Sequence, residues 1–140
     1  MIKDDLKMTG HVSIALNDEV VQEIPNLVVT DGKKWVADRM NDANTVMSHM
    51  AVGTGTTAAA AGDTTLDTEE DRNALTSTTV TDNEVAYVCS WASGDATASL
   101  TEAGLFDASS GGDMLARTVF SVVNKGASDT LTITWTITVS

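Results

Sequence analysis

The chain has 140 residues, 20 acidic against 8 basic side chains, a net charge of −12 and an apolar fraction of 42%. That size and composition fit one folded domain and argue against global disorder. So acidic a surface argues against binding nucleic acid or an anionic membrane, both of which call for Lys and Arg.

After a short N-terminal extension over residues 1–8, the segment Met8 to Leu16 alternates, with His11, Ser13 and Ala15 on one face and Val12, Ile14 and Leu16 on the other. Period two predicts a half-buried strand. Asn17-Asp18-Glu19 predicts a turn, and Val20 to Ile24 a returning strand that Pro25 ends and assigns to a sheet edge. A short apolar strand follows at Asn26 to Val29. Thr30 or Asp31 is then expected to cap a helix near residues 31–42, with Trp35, Val36 and Met40 on one face. This is the one helix the pattern predicts.

Val46 to Val52 predicts a buried strand. Gly53-Thr54-Gly55-Thr56-Thr57 and Ala58 to Gly62 predict a flexible or tightly turned loop. The acidic stretch Asp67 to Asp71, flanked by Leu66 and Leu75, is expected to hold a short helical turn ending at Arg72. Strands are then expected at 77–81, 84–91, 98–106, 114–123 and 130–139, with turns at Asp82-Asn83, Ser93-Gly94-Asp95, Ser109 to Asp113 and Asn124 to Gly126. In the last strand, Leu131, Ile133, Trp135, Ile137 and Val139 alternate strictly with polar residues, mostly threonine. Several short strands at such spacing predict a mainly β fold, an antiparallel β-sandwich that is jelly-roll-like, formed by a single domain over residues 1–140. With only six aromatic residues, Trp35, Trp91 and Trp135 are expected to be the large pieces of the core.

Motifs that could carry chemistry are few. Gly53-Thr54-Gly55 lacks the lysine and the following helix that a phosphate loop uses, so it reads as a turn. His11 and His49 have no second ligand at metal spacing and no serine–acid partnership. Asp67, Glu69, Glu70 and Asp71 lack the alternating pattern around a glycine that a calcium loop needs. Cys89 lies in the strand-like run Val85 to Trp91 and reads as a small buried hydrophobe. One cysteine can form neither an internal disulfide nor a cysteine-based zinc site. The sequence therefore nominates no catalytic residue, no cofactor and no metal site, and a non-enzymatic role is expected. The polar, acidic start is unlike a signal peptide, and no apolar run approaches the length of a membrane helix, so synthesis in the cytoplasm without secretion is expected.

Several segments occur in a distinctive order: Asn26-Leu27-Val28-Val29-Thr30-Asp31-Gly32-Lys33; Met50-Ala51-Val52-Gly53-Thr54-Gly55-Thr56-Thr57; Gly62-Asp63-Thr64-Thr65-Leu66, with Glu70 and Arg72 beyond; and Thr101-Glu102-Ala103-Gly104-Leu105-Phe106-Asp107. Over residues 9–140 this order resembles a family of tailed-bacteriophage virion proteins, found at the N-terminal ends of tail fibres and as small stand-alone virion proteins. The resemblance implies a structural virion protein and no catalytic residues. With no length left over for a fibre shaft, a capsid cement or decoration protein is expected at the virion surface. Its expected partners are the major capsid protein and further copies of itself, not nucleic acid or membrane. A small tail, baseplate or tail-fibre adaptor is the alternative. A host-glycan-binding module is a third reading, disfavoured by the scarcity of aromatics.

Overall fold

A computed structural model describes residues 6–140. It contains ten strands and one helix: β1 (Met8–Leu16), β2 (Glu19–Pro25), β3 (Leu27–Val28), α1 (Thr30–Met40), β4 (His49–Gly53), β5 (Glu69–Ala74), β6 (Ser77–Thr81), β7 (Glu84–Trp91), β8 (Ala98–Phe106), β9 (Met114–Lys125) and β10 (Leu131–Val139). They form two five-stranded sheets, in the orders β2-β1-β10-β7-β6 and β3-β9-β8-β4-β5. Every pairing is antiparallel. The fold is thus the mainly β sandwich with one short helix that the alternation predicts.

The pairs β1–β10, β3–β9 and β4–β8 are nested, early strand with late strand, as in a rolled-up double sheet. The hairpins β1–β2, β4–β5, β6–β7 and β8–β9 each stay within one sheet. The β1–β2 turn places Asn17 and Asp18 both at positive φ, the backbone twist that two-residue hairpins favour and that Asn and Asp tolerate. Of the N-terminal extension, residues 1–5 lie outside the described residues. Lys7 exchanges both backbone hydrogen bonds with Ser140, and Met8 already begins β1.

The core lies between the sheets. In β10, Leu131, Ile133, Trp135 and Ile137 are buried while the alternating threonines are half-exposed. Facing them come Leu100, Ala103 and Leu105 from β8, Met50 and Val52 from β4, and Ala116 and Val123 from β9. Trp91 and Trp135 are fully buried. Trp35 is only half-buried, because it lies on α1 at the margin of the sandwich, where its indole N–H donates to the Thr45 carbonyl at 2.7 Å. Burial of about 25 cal/mol per Å² makes these side chains the principal source of stability.

The local expectations need four corrections. The helix runs over 30–40, its N-cap is Val29, and no side chain caps it. The Asp31 carboxylate instead reaches across to β9 and accepts the Met114 N–H at 2.7 Å. The acidic stretch forms no helical turn: residues 69–74 are β5, drawn into strand by pairing with β4. The strand expected from Val46 begins only at His49. Finally, β9 continues through Asn124 and Lys125, and the turn begins at Gly126, whose N–H is accepted by the Asp129 carboxylate.

Candidate functional site

Two charged side chains stand within otherwise apolar strand stretches. Glu102 of β8 is 0% exposed and Arg117 of β9 is 1% exposed. Charges so deeply buried persist only when fully partnered, and these two partner each other. Glu102 Oε1 accepts from Arg117 Nε at 3.2 Å and from its Nη2 at 3.0 Å. The same oxygen accepts the Asp67 N–H at 3.0 Å. Oε2 accepts the N–H groups of Gly55 at 2.7 Å and Thr68 at 2.9 Å. Arg117 spends its other donors on Asp63 Oδ2 at 2.9 Å and the Thr57 carbonyl at 3.0 Å. The Thr101 hydroxyl donates to the Gly55 carbonyl at 2.7 Å.

This clasp explains the Gly-Thr-Gly segment differently from a flexible turn. Neither Gly53 nor Gly55 has positive φ. A Cβ on Gly55 would lie 2.4 Å from Glu102 Oε2 and 2.3 Å from Asp67 Cβ, and one on Gly53 would lie 2.2 Å from the Thr68 carbonyl oxygen. The glycines are there so that two backbone stretches can close on a carboxylate. Converging N–H groups form a cradle of the kind that binds anions, and here the chain's own Glu102 fills it.

The electrostatics follow from these contacts. Burial, the largest influence on Arg117, lowers its pKa, but hydrogen bonds to Glu102 and Asp63 and their charges outweigh it and leave the value raised. Hydrogen bonding from Thr57 holds the Asp67 carboxyl below its usual range. Both Glu102 oxygens are occupied by donors from the chain itself. The site is a structural lock that fixes the loop over residues 54–68.

A second cation ties the neighbouring loop. Arg72 lies 3.7 Å above the Phe106 ring. It donates to the carbonyls of Ala108 at 3.0 Å and Gly111 at 2.9 Å, and pairs with Glu69 at 2.7 Å. It thereby holds the turn between β8 and β9, where Asp107 Oδ1 accepts the Asp113 N–H at 2.7 Å.

Of the residues weighed from sequence, Gly53, Gly55 and Asp67 meet at the Glu102 clasp, while the histidines and Cys89 lie apart from it. His11 is exposed on β1. His49 is half-buried on β4, its Nδ1 2.8 Å from the adjacent Ser48 hydroxyl. Glu69 and Glu70 are exposed on β5. Among the described residues no three His, Cys, Asp or Glu side chains are grouped to hold a metal ion. Cys89 is fully buried, and burial pushes its thiol up to about 12. Among the described residues no helix is long and apolar enough to cross a membrane.

A groove of about 670 Å³ opens beside α1, between β1 and β3. Met8, Gly10, Asn26, Val28 and Val36 line it, with Lys7 and Lys33 among its walls. The Asn26 amide is buried there with no hydrogen-bond partner among the described residues.

Glu102 lies inside one of the distinctive segments of the sequence, and Arg117 lies in none of them. The available signal was a Glu between Leu100 and Leu105 and an Arg between Leu115 and Val119: charges inside apolar strands that need partners. Comparison with protein-family models, with curated proteins and with solved structures finds no match for this chain.

Proposed function

We propose that this chain is a structural protein of a tailed-bacteriophage particle, acting as a cement or decoration protein on the assembled capsid. The observation that carries the reading is how the segments bearing the resemblance meet. The Gly-Thr-Gly segment and the stretch after Leu66 close on Glu102, which belongs to the Thr101 to Asp107 segment. Arg117 joins Asp63 to the same carboxylate, and the Asn26 to Lys33 segment pairs with β9 through Leu27 opposite Arg117. The segments make up one physical device, so their shared order carries more weight than any piece alone.

The mechanism is mass action. A protein that binds only the assembled lattice stabilises it by an amount set by its occupancy. A rigid sandwich with locked loops suits this role, because little ordering entropy is lost on docking. The partner is the major capsid protein and the location the virion surface. The role is structural, with no catalytic step.

The test is stoichiometry and heat resistance. Copy number relative to the major capsid protein is measured in purified particles that carry the chain, and capsids lacking it are heated with and without added protein. A large copy number set by lattice symmetry, with a raised rupture temperature, is expected. A handful of copies per particle places the chain in the tail, baseplate or a fibre adaptor instead. No rise in rupture temperature at saturating occupancy removes the cement reading.

A further inference from the structure

Two open sheets have four edges, and an unpaired edge is a template for another strand. Three of the four are blunted. β2 carries Glu19, Glu23 and Pro25, and its register with β1 is broken by a bulge at Ile14/Ala15. β5 reads Glu69-Glu70-Asp71-Arg72-Asn73-Ala74, mostly charged, with a register break against β4. β3 is two residues long. Charge, proline, bulges and shortness are the devices by which proteins keep strand edges from pairing.

β6 has none of them. Ser77-Thr78-Thr79-Val80-Thr81 has no ionisable group and no proline, and its register with β7 is unbroken. All five residues are exposed, Val80 by 69%. Thr78 and Val80 lie opposite Tyr87 and Val85, both of which belong to the core or pack against it, so these two side chains point to the core side of the sheet and yet remain uncovered. The strand is also held in place: at the β6–β7 turn, Asn83 accepts a backbone hydrogen bond from Val139 and returns one from its side-chain amide at 2.9 Å.

We propose that β6 pairs antiparallel with β6 of a second copy, joining two five-stranded sheets into one across a two-fold axis at Thr79. The two-residue turn at Asp82-Asn83 makes Thr81 and Glu84 the closing pair of the hairpin. Alternation of the ladder then turns the N–H and C=O groups of Thr78 and Val80 away from β7. With the axis at Thr79, Thr78 faces Val80 of the second copy, Val80 faces its Thr78, and each pair exchanges both backbone hydrogen bonds. Ser77 falls opposite Thr81. These pairs of β-branched and hydroxyl side chains suit a strand contact.

Charge selects the occupant. Two copies each carrying −12 repel over most of their surfaces, and a neutral strand is where they approach at least cost. The pairing sets Asp82 at the turn beside the start of the opposing β6, not beside the opposing Asp82. No charge on β6 selects a basic or acidic partner strand, and the register is self-complementary. Added salt screens the long-range repulsion and leaves the neutral contact intact, so self-association strengthens with ionic strength, opposite to an interface held by ion pairs.

The test is sedimentation velocity from micromolar to millimolar protein at low and high salt. A monomer–dimer equilibrium that tightens with salt is expected. Val80→Pro removes only an outward-facing N–H, which an edge strand tolerates, and is expected to weaken dimerisation by roughly tenfold or more with the melting temperature of the dilute protein unchanged. Should that variant misfold, Val80→Lys asks the same question by placing two like charges diagonally across the axis. Wild-type protein that stays monomeric at millimolar concentration in high salt overturns the proposal. So does a folded Val80→Pro or Val80→Lys variant that dimerises like wild type. Neither result bears on capsid binding, which is measured separately.

Discussion

Glu102 and Arg117 sit on neighbouring strands of one hairpin, and a single carboxylate oxygen takes two guanidinium nitrogens at 3.0 and 3.2 Å with both side chains removed from solvent. The same carboxylate holds the N–H groups of Gly55, Asp67 and Thr68. The pair is therefore both a salt bridge and the anchor of two backbone segments.

Removing the cation leaves Glu102 buried beside a gap. Arg117→Met is expected to cost about 3–5 kcal/mol, the usual range for orphaning a buried charge. Replacing buried ion pairs by apolar residues often recovers such losses, but not here. A Glu102→Leu/Arg117→Met double variant leaves three backbone N–H groups without their acceptor, each worth about 1–3 kcal/mol when buried. Urea unfolding of both variants is the check. A double variant as stable as wild type would show that the N–H groups find water and that the carboxylate is dispensable.

Two glycines in the same region make opposite predictions. Gly55→Ala forces a methyl group to within 2.4 Å of Glu102 and 2.3 Å of Asp67, so it is expected to destabilise by about 1–3 kcal/mol, as overpacking does. Gly62 has nothing within 4 Å of an added Cβ and no positive φ. Gly62→Ala is expected to be neutral or to stabilise by about 0.4–1 kcal/mol by restricting the unfolded chain. Thermal melts of the two proteins decide it. Equal effects would mean that the loop over residues 54–68 yields to a side chain at Gly55, and that the clasp is looser than its distances.

Met8–Leu16 and Leu131–Val139 were legible because their apolar residues alternate, and the strands between them because turn residues bound them. Met8–Leu16, Glu84–Trp91 and Ala98–Phe106 fall where the pattern places them. The acidic stretch was not legible. Asp67 to Asp71 has no apolar alternation, and residues 69–74 become strand through pairing with β4, a contact made across the sheet. The same holds for the helix start, where Asp31 is taken by the Met114 N–H of a distant strand. Gly53 and Gly55 were visible as residues, but their reason was not, because the carboxylate they make room for is 47 positions beyond Gly55.

Acid should loosen the fold through two exposed carboxylates. Thr57 hydrogen bonds hold Asp67 below its ordinary value of 3.8, and the Asn17 side chain does the same for Asp129. A depressed folded pKa means that the unfolded chain takes up the proton first. The stability from these contacts is therefore complete above the ordinary value and is lost as the pH falls from there through the lower folded values. Asp67→Asn can still accept from Thr57, and Asp129→Asn can keep one of its two hydrogen bonds, from Asn17 or from the Gly126 N–H; neither side chain titrates any longer. The double variant is expected to show a shallower decline of melting temperature below about pH 4 than wild type. Identical slopes would place the acid sensitivity elsewhere.

Cys89 makes the sharpest prediction about rigidity. Its side chain is fully buried in β7, its thiol lies 3.5 Å from the Ala74 carbonyl, and burial raises its pKa to about 12. At neutral pH the nucleophilic thiolate is then scarce, and no reagent reaches it without opening the sandwich. Thiol titration with an aromatic disulfide should label no cysteine in the native protein and one per chain in guanidinium, with the native rate tracking the fraction of molecules that open. Arg117→Met, by lowering the stability of the fold as a whole, should raise that rate in proportion to its loss of stability. Prompt labelling of the native wild-type protein would mean that β7 separates from the core far more readily than its burial allows. A rate unchanged in Arg117→Met would instead mean that the opening exposing Cys89 is local and leaves the clasp closed.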